Sequence, residues 1–117
     1  VQRTTAKEQA RRLIAAELPQ EFIDAQGGVI VENHLNMVRA IGKPKVTPAA
    51  VAAVINSDVV DQVFRCISGS VAVSAFELEA IPLPPASAMA EIERLVAKDA
   101  PRATIERALR GLYGLKA

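Results

Sequence analysis

Apolar positions recur at helical spacing through most of the second half of this chain, and alternate at strand spacing over a longer run in the first half. Val51, Val54 and Ile55 form one stripe, and Val59, Val60, Val63, Phe64 and Ile67 form the next. Both follow the three-and-four spacing of a helix with one buried face. The valines favour strand by propensity, but spacing outweighs a weak preference. Thr47 before Pro48 marks a helix start, because the hydroxyl can accept from an orphan N–H and proline at the first position loses no bond. Asn56-Ser57-Asp58 interrupts the first stripe and can cap the second. Ser68-Gly69-Ser70 turns the chain, and Val71 to Val73 is a short strand candidate. Ser74 and Glu77 have capping-box spacing over one or two helical turns. Three prolines make Ile81 to Pro85 extended. Met89, Ile92, Leu95 and Val96 predict a helix over Ser87 to Lys98. Ile105, Ala108, Leu109 and Leu112 predict a last helix from Pro101 to Gly114, completing an αα-hairpin.

The first half carries different signals. Val1 to Arg3 has the look of a strand end. Thr5 and Glu8 again have capping-box spacing, and a helix is expected to follow as far as Leu18, with Ala6, Ala10, Leu13, Ile14 and Glu17-Leu18 on its buried stripe. Pro19 should end it, since the residue before proline avoids the helical region. Phe22-Ile23 is a strand candidate, and Gly27-Gly28 signals a turn. Val29 to Val38 then alternates. Val29, Val31, Leu35 and Met37 share one face with Asn33, while Ile30, Glu32, His34, Asn36 and Val38 share the other. A loop marked by Gly42 and Pro44 follows. The expected fold is therefore α+β: a small antiparallel sheet or hairpin packed with several helices over residues 1–85, with a C-terminal helical hairpin over residues 86–117 packed on it.

Composition adds bounds. A chain of 117 residues, half of them hydrophobic, fits one domain with a modest core. It has no apolar run long enough to span a bilayer and no signal-peptide pattern. The lone cysteine, Cys66, excludes an internal disulfide, so a cytoplasmic setting is expected. With one His and one Cys there is no metal-ligand spacing, and a His34–Cys66 nucleophile pair has no orienting motif beside it. No methionine precedes Met37 and the chain opens on Val1-Gln2-Arg3, which suggests a piece of a longer polypeptide.

A net charge of +1 does not announce a nucleic-acid binder, so any affinity must come from local patches. Arg3, Lys7, Arg11 and Arg12 form one, suited to phosphate oxygens. Arg39, Lys43 and Lys45 lie in or beside the central loop. Glu32, His34 and Asn36, together on one strand face, have the chemistry to contact base edges or phosphates; a solvated face is the plainer account of the same pattern. Arg65 stands beside the turn of Ser68 and Ser70, whose small residues let backbone N–H groups approach a ligand or serve turn geometry alone. Scarce aromatics and no tryptophan argue against a stacking platform for single strands. Val51 to Glu79 also has the outline of a helix-turn-helix with a wing, though its second helix is very apolar.

The order Ile55-Asn56-Ser57, Phe64-Arg65, Ser68-Gly69-Ser70, Glu77-Leu78 and Ile81-Pro82-Leu83-Pro84 resembles the target-recognition region that ends TaqI-like adenine-specific DNA methyltransferases of restriction-modification systems. Gln2-Arg3-Thr4-Thr5 and Glu32-Asn33-His34-Leu35-Asn36 resemble earlier segments of that region more loosely. Proteins of this family transfer a methyl group from S-adenosylmethionine to the adenine amino group of a flipped base in duplex DNA. Their catalytic signature, Asn or Asp before two prolines and an aromatic, does not occur here, nor does their glycine-rich cofactor segment. The resemblance thus implies a sequence-recognition part with no catalytic residue and no cofactor of its own. S-adenosylmethionine would belong to the catalytic domain of the same polypeptide, and the partners would be that domain and double-stranded DNA. The recognition domains of type I restriction specificity subunits close on a similar isoleucine-proline-leucine-proline ending, and a helix-turn-helix interaction module is the alternative from another class.

Overall fold

Residues 1–4, 9–70 and 72–116 are described by the computed structural model, and among them the regular structure is helical. The helices are α1 (Gln20–Gln26), α2 (Pro48–Ile55), α3 (Asp58–Ile67), α4 (Ala75–Glu79), α5 (Ala90–Ala97) and α6 (Arg102–Leu112), with one 3-10 turn, Ala86–Met89, leading into α5. The expected antiparallel sheet does not form. Among the described residues only two isolated antiparallel bridges occur, Gln2 with Leu35 and Thr4 with Ala72. The α+β assignment is therefore corrected to a helical one.

Helix starts follow side-chain chemistry. Thr47, Ser57 and Ser74 each accept a bond from the backbone N–H three residues on. The C-terminal helices add a second layer of capping. Glu93 of α5 accepts from both the N–H and the hydroxyl of Thr47, at 2.6 and 2.7 Å. Glu106 of α6 accepts from the N–H groups of Asp58 and Val59, both at 2.9 Å. Donors that a helix start leaves orphaned are thus met from another helix.

These carboxylates fix how the layers meet. α5 packs against α2 and α6, and α6 packs against α3. One core results, with Val54, Val59, Val60, Phe64, Ile81, Met89, Ile92 and Leu109 at its centre. Leu13 and Val73, from outside the helices, complete it. Each fully buried side chain of this size contributes about 1.5–3 kcal/mol.

Three expectations in the first half fail for identifiable reasons. Phe22-Ile23 is helical rather than extended, inside α1. Pro19 stands at the helix start, where its missing N–H costs nothing, and its carbonyl accepts from Phe22 and Ile23. Gln20 bonds Asp24 one turn on, and Gly27 closes the helix at φ 73°, a conformation glycine adopts without penalty. With Phe22-Ile23 in a helix, the run 29–38 has no hairpin partner and stays irregular, with a turn at Asn33-His34.

Residues 9–18, expected to be helical, are irregular too. Side chains of the α2–α3 joint take the bonds a helix would use. The Asp61 carboxylate accepts from the N–H groups of Arg12 and Leu13, each at 2.8 Å. Asn56 pairs with Ala15 in both directions, accepting from its N–H at 2.8 Å and donating to its carbonyl at 2.7 Å. Tertiary bonds here override local propensity. The capping pair Thr5–Glu8 lies outside the described residues, as does Val71 of the short strand candidate.

Candidate nucleic-acid interface

The predicted DNA-contacting residues divide into those built into the framework and those left to solvent. Arg11 bonds the Asp58 carboxylate, the Ser57 carbonyl at 2.9 Å and the Leu13 carbonyl at 3.2 Å. Arg65 joins the Asp61 carboxylate and the Ala10 carbonyl. Arg3 donates to the Asn33 carbonyl at 3.0 Å. The guanidinium groups of Arg11 and Arg65 hold the first segment to α3 and its start, while that of Arg3 holds it to the turn at Asn33-His34. The backbone of Arg12 is fixed by Asp61. Lys7 lies outside the described residues.

Asp61 is the anchor of this joint. Burial opposes its ionisation, yet its carboxyl is held below the usual aspartate value. The Leu13 N–H, the Arg65 guanidinium, the Arg12 N–H and the charge of Arg11 together outweigh desolvation.

Glu32, His34 and Asn36 do not share a strand face, which corrects that expectation. A turn at Asn33-His34 breaks the alternation, with the Leu35 N–H bonded to the Glu32 carbonyl. Glu32 and His34 pair with each other in solvent at 2.7 Å, and that bond holds the Glu32 carboxyl below its ordinary value. Asn36 is part of the framework: its amide donates to the Val73 carbonyl at 2.8 Å. Ser68 and Ser70 form successive local turns, accepting from the N–H groups of Ser70 and Ala72. Ser68 is buried, and its hydroxyl, followed by that of Ser74, lowers the Glu77 carboxyl from its usual range. The turn is therefore tied to α4.

Arg39, Lys43 and Lys45 are different. Each is exposed, and none has an ion pair or hydrogen bond among the described residues. They lie on an irregular arm that runs from Gly28 to Val46, between α1 and α2. No carboxylate occurs in the sequence between Glu32 and Asp58, so the arm carries unbalanced positive charge. It also exposes large apolar side chains, Ile30, Met37, Val38 and Ile41 among them.

A second basic face was not singled out from sequence. Arg102, Arg107 and Arg110 of α6 line a shallow groove with Asp58, Ala103 and Glu106. Arg102 shares the Asp58 carboxylate with Arg11, and Arg110 donates to the Lys116 carbonyl, while the Arg107 side chain has no partner among the described residues. The signal was present as three arginines within nine residues of one helix. Beside it an open cleft of about 380 Å³ lies between Arg11, Ile14, Asn56, Arg102 and Ile105.

Among the described residues there is no group of three or more His, Cys, Asp or Glu side chains placed to hold a metal, and no helix is long and apolar enough to cross a membrane. No protein-family profile, curated protein or solved structure matches this chain.

Proposed function

We infer that this chain is the DNA sequence-recognition part of an adenine-specific, S-adenosylmethionine-dependent methyltransferase of a restriction-modification system, acting with a catalytic domain of the same polypeptide in the cytoplasm. The observation that supports this most is the arm. Three exposed cations without partners among the described residues, on the carboxylate-free stretch that follows Glu32, form the kind of local field that attracts phosphate. The motifs behind the resemblance support the reading in another way. Asn56, Ser57, Arg65, Ser68 and Glu77 lie at joints that hold the first segment, the turn and the helices together. They serve as a framework, leaving contact to the arm.

A helix-turn-helix mode is less well supported. α3 buries Val59, Val60 and Phe64 and commits Arg65 to Asp61, which leaves Gln62, Cys66 and the apolar Ile67 as outward groups. The type I specificity-subunit reading gives nearly the same molecular role. A second recognition domain in the surrounding reading frame would favour it, and a catalytic Asn-Pro-Pro-aromatic motif upstream would favour the methyltransferase.

The test is selection. The chain is mixed with a pool of random duplexes, and bound molecules are recovered and sequenced. Recovery of a short defined site is expected. Uniform recovery, or none, would overturn the assignment.

A further inference from the structure

Ile41 is 95% exposed and stands two residues after Arg39 and two before Lys43. Such an isoleucine costs hydration without any packing return in the free chain. Gly42 follows at φ 68°, a left-handed conformation that bends the backbone at once after Ile41. The result is an exposed apolar side chain next to a bend, with cations before and behind it in sequence. The backbone here is irregular and slim, with Ala40 and Gly42 as neighbours. A helix needs the wide major groove, whereas an irregular chain with small residues fits a minor groove of about 6 Å.

Resting on the DNA-recognition reading above, we propose that residues 38–46 enter the minor groove of duplex DNA, where Ile41 acts as a wedge between adjacent base pairs. Arg39, Lys43 and Lys45 hold the flanking phosphates on either side. The charge pattern selects this occupant. A protein partner covering an apolar patch would not call for three unpaired cations around it, whereas the groove supplies phosphates at its rims and an apolar base stack at its floor. Ile30 provides an internal contrast. It is 99% exposed, on the same arm, but follows Gly27-Gly28 with no cation before Arg39. The wedge role therefore falls to Ile41 and not to Ile30.

Unstacking is read with 2-aminopurine, placed at successive positions in the duplexes recovered by selection. Binding of the chain is expected to raise fluorescence at one step severalfold. Ile41→Ala should abolish most of that rise while keeping the salt dependence of binding, Ile41→Leu should retain it, and Ile30→Ala should leave it unchanged. A bound duplex that shows no rise at any position overturns the wedge while leaving DNA recognition intact. Equal loss with Ile30→Ala also overturns it. Should Ile41→Ala leave the rise intact but convert a sedimenting dimer to monomer, the residue covers a second copy and the proposal fails. Failure of the chain to bind any duplex removes the underlying reading instead.

Discussion

Residues 1–46 and residues 47–116 are held by different forces. The second region is a set of short helices whose apolar stripes meet in one core, and the starts of α2, α3 and α4 are capped by threonine, serine and two borrowed glutamates. Among its described residues the first region has one short helix and little buried surface beyond Leu13. It is fastened by Asp61, Asn56 and Arg65, which bond its backbone, and by its own Arg11, which donates to the Ser57 carbonyl. Packing is non-directional and shared among many residues, whereas a few directional bonds concentrate stability at single side chains. The first region can therefore leave an arm unpacked, which suits it to contact a ligand.

The comparison breaks most sharply in the core. Phe64→Ala should destabilise the whole chain by about 3–5 kcal/mol, read as a lowered urea midpoint with one cooperative transition. Loss of the first region alone, with the helices intact, would show that the two regions do not share a core.

Asp61→Asn should act next most strongly and on the first region in particular. It removes the charge that Arg65 pairs with and weakens acceptance from Arg12 and Leu13, at about 1–3 kcal/mol. The folded carboxyl titrates below its unfolded value, so its stabilisation is complete above the unfolded value of about 4 and is lost as pH falls through the lower folded one. Wild-type stability should fall over that acid window, and the variant should lack this share of the fall. Parallel profiles would remove Asp61 as the anchor. Hydrogen exchange should show faster opening around Leu13 than around Phe64.

Glu106→Ala should have a smaller effect, about 1 kcal/mol, because it uncaps the start of α3 while Ser57 still caps it. A thermal melt measures this, and no change would show that the cross-helix cap is dispensable.

The helical region was legible because its signals are local. Thr47-Pro48, Ser57 and Ser74 state where helices begin, and the stripes around Phe64 and Ile92 state which faces are buried. The first region was not, because its bonding partners lie far along the chain. Asp61 and Asn56 reach residues more than forty positions away, and no periodicity announces that. Asn36 read as a strand-face residue, yet it serves Val73. α1 could have been found, since Pro19, Glu21 and Gly27 bracket it; the β-branched and aromatic pair Phe22-Ile23 pointed the other way. For the candidate site, the charges of Arg39, Lys43 and Lys45 were visible in sequence. That they would be unpaired while Arg11 and Arg65 are bound internally required the structure.

The most direct measurement is the salt dependence of duplex binding by the wild-type chain and by the Arg39→Ala, Lys43→Ala, Lys45→Ala triple variant, followed by fluorescence anisotropy. Each lost phosphate contact should reduce the slope of log affinity against log salt by about one. A slope shallower by about three, with unchanged unfolding, is the predicted result. An unchanged slope and affinity would contradict the arm as the DNA-contacting element.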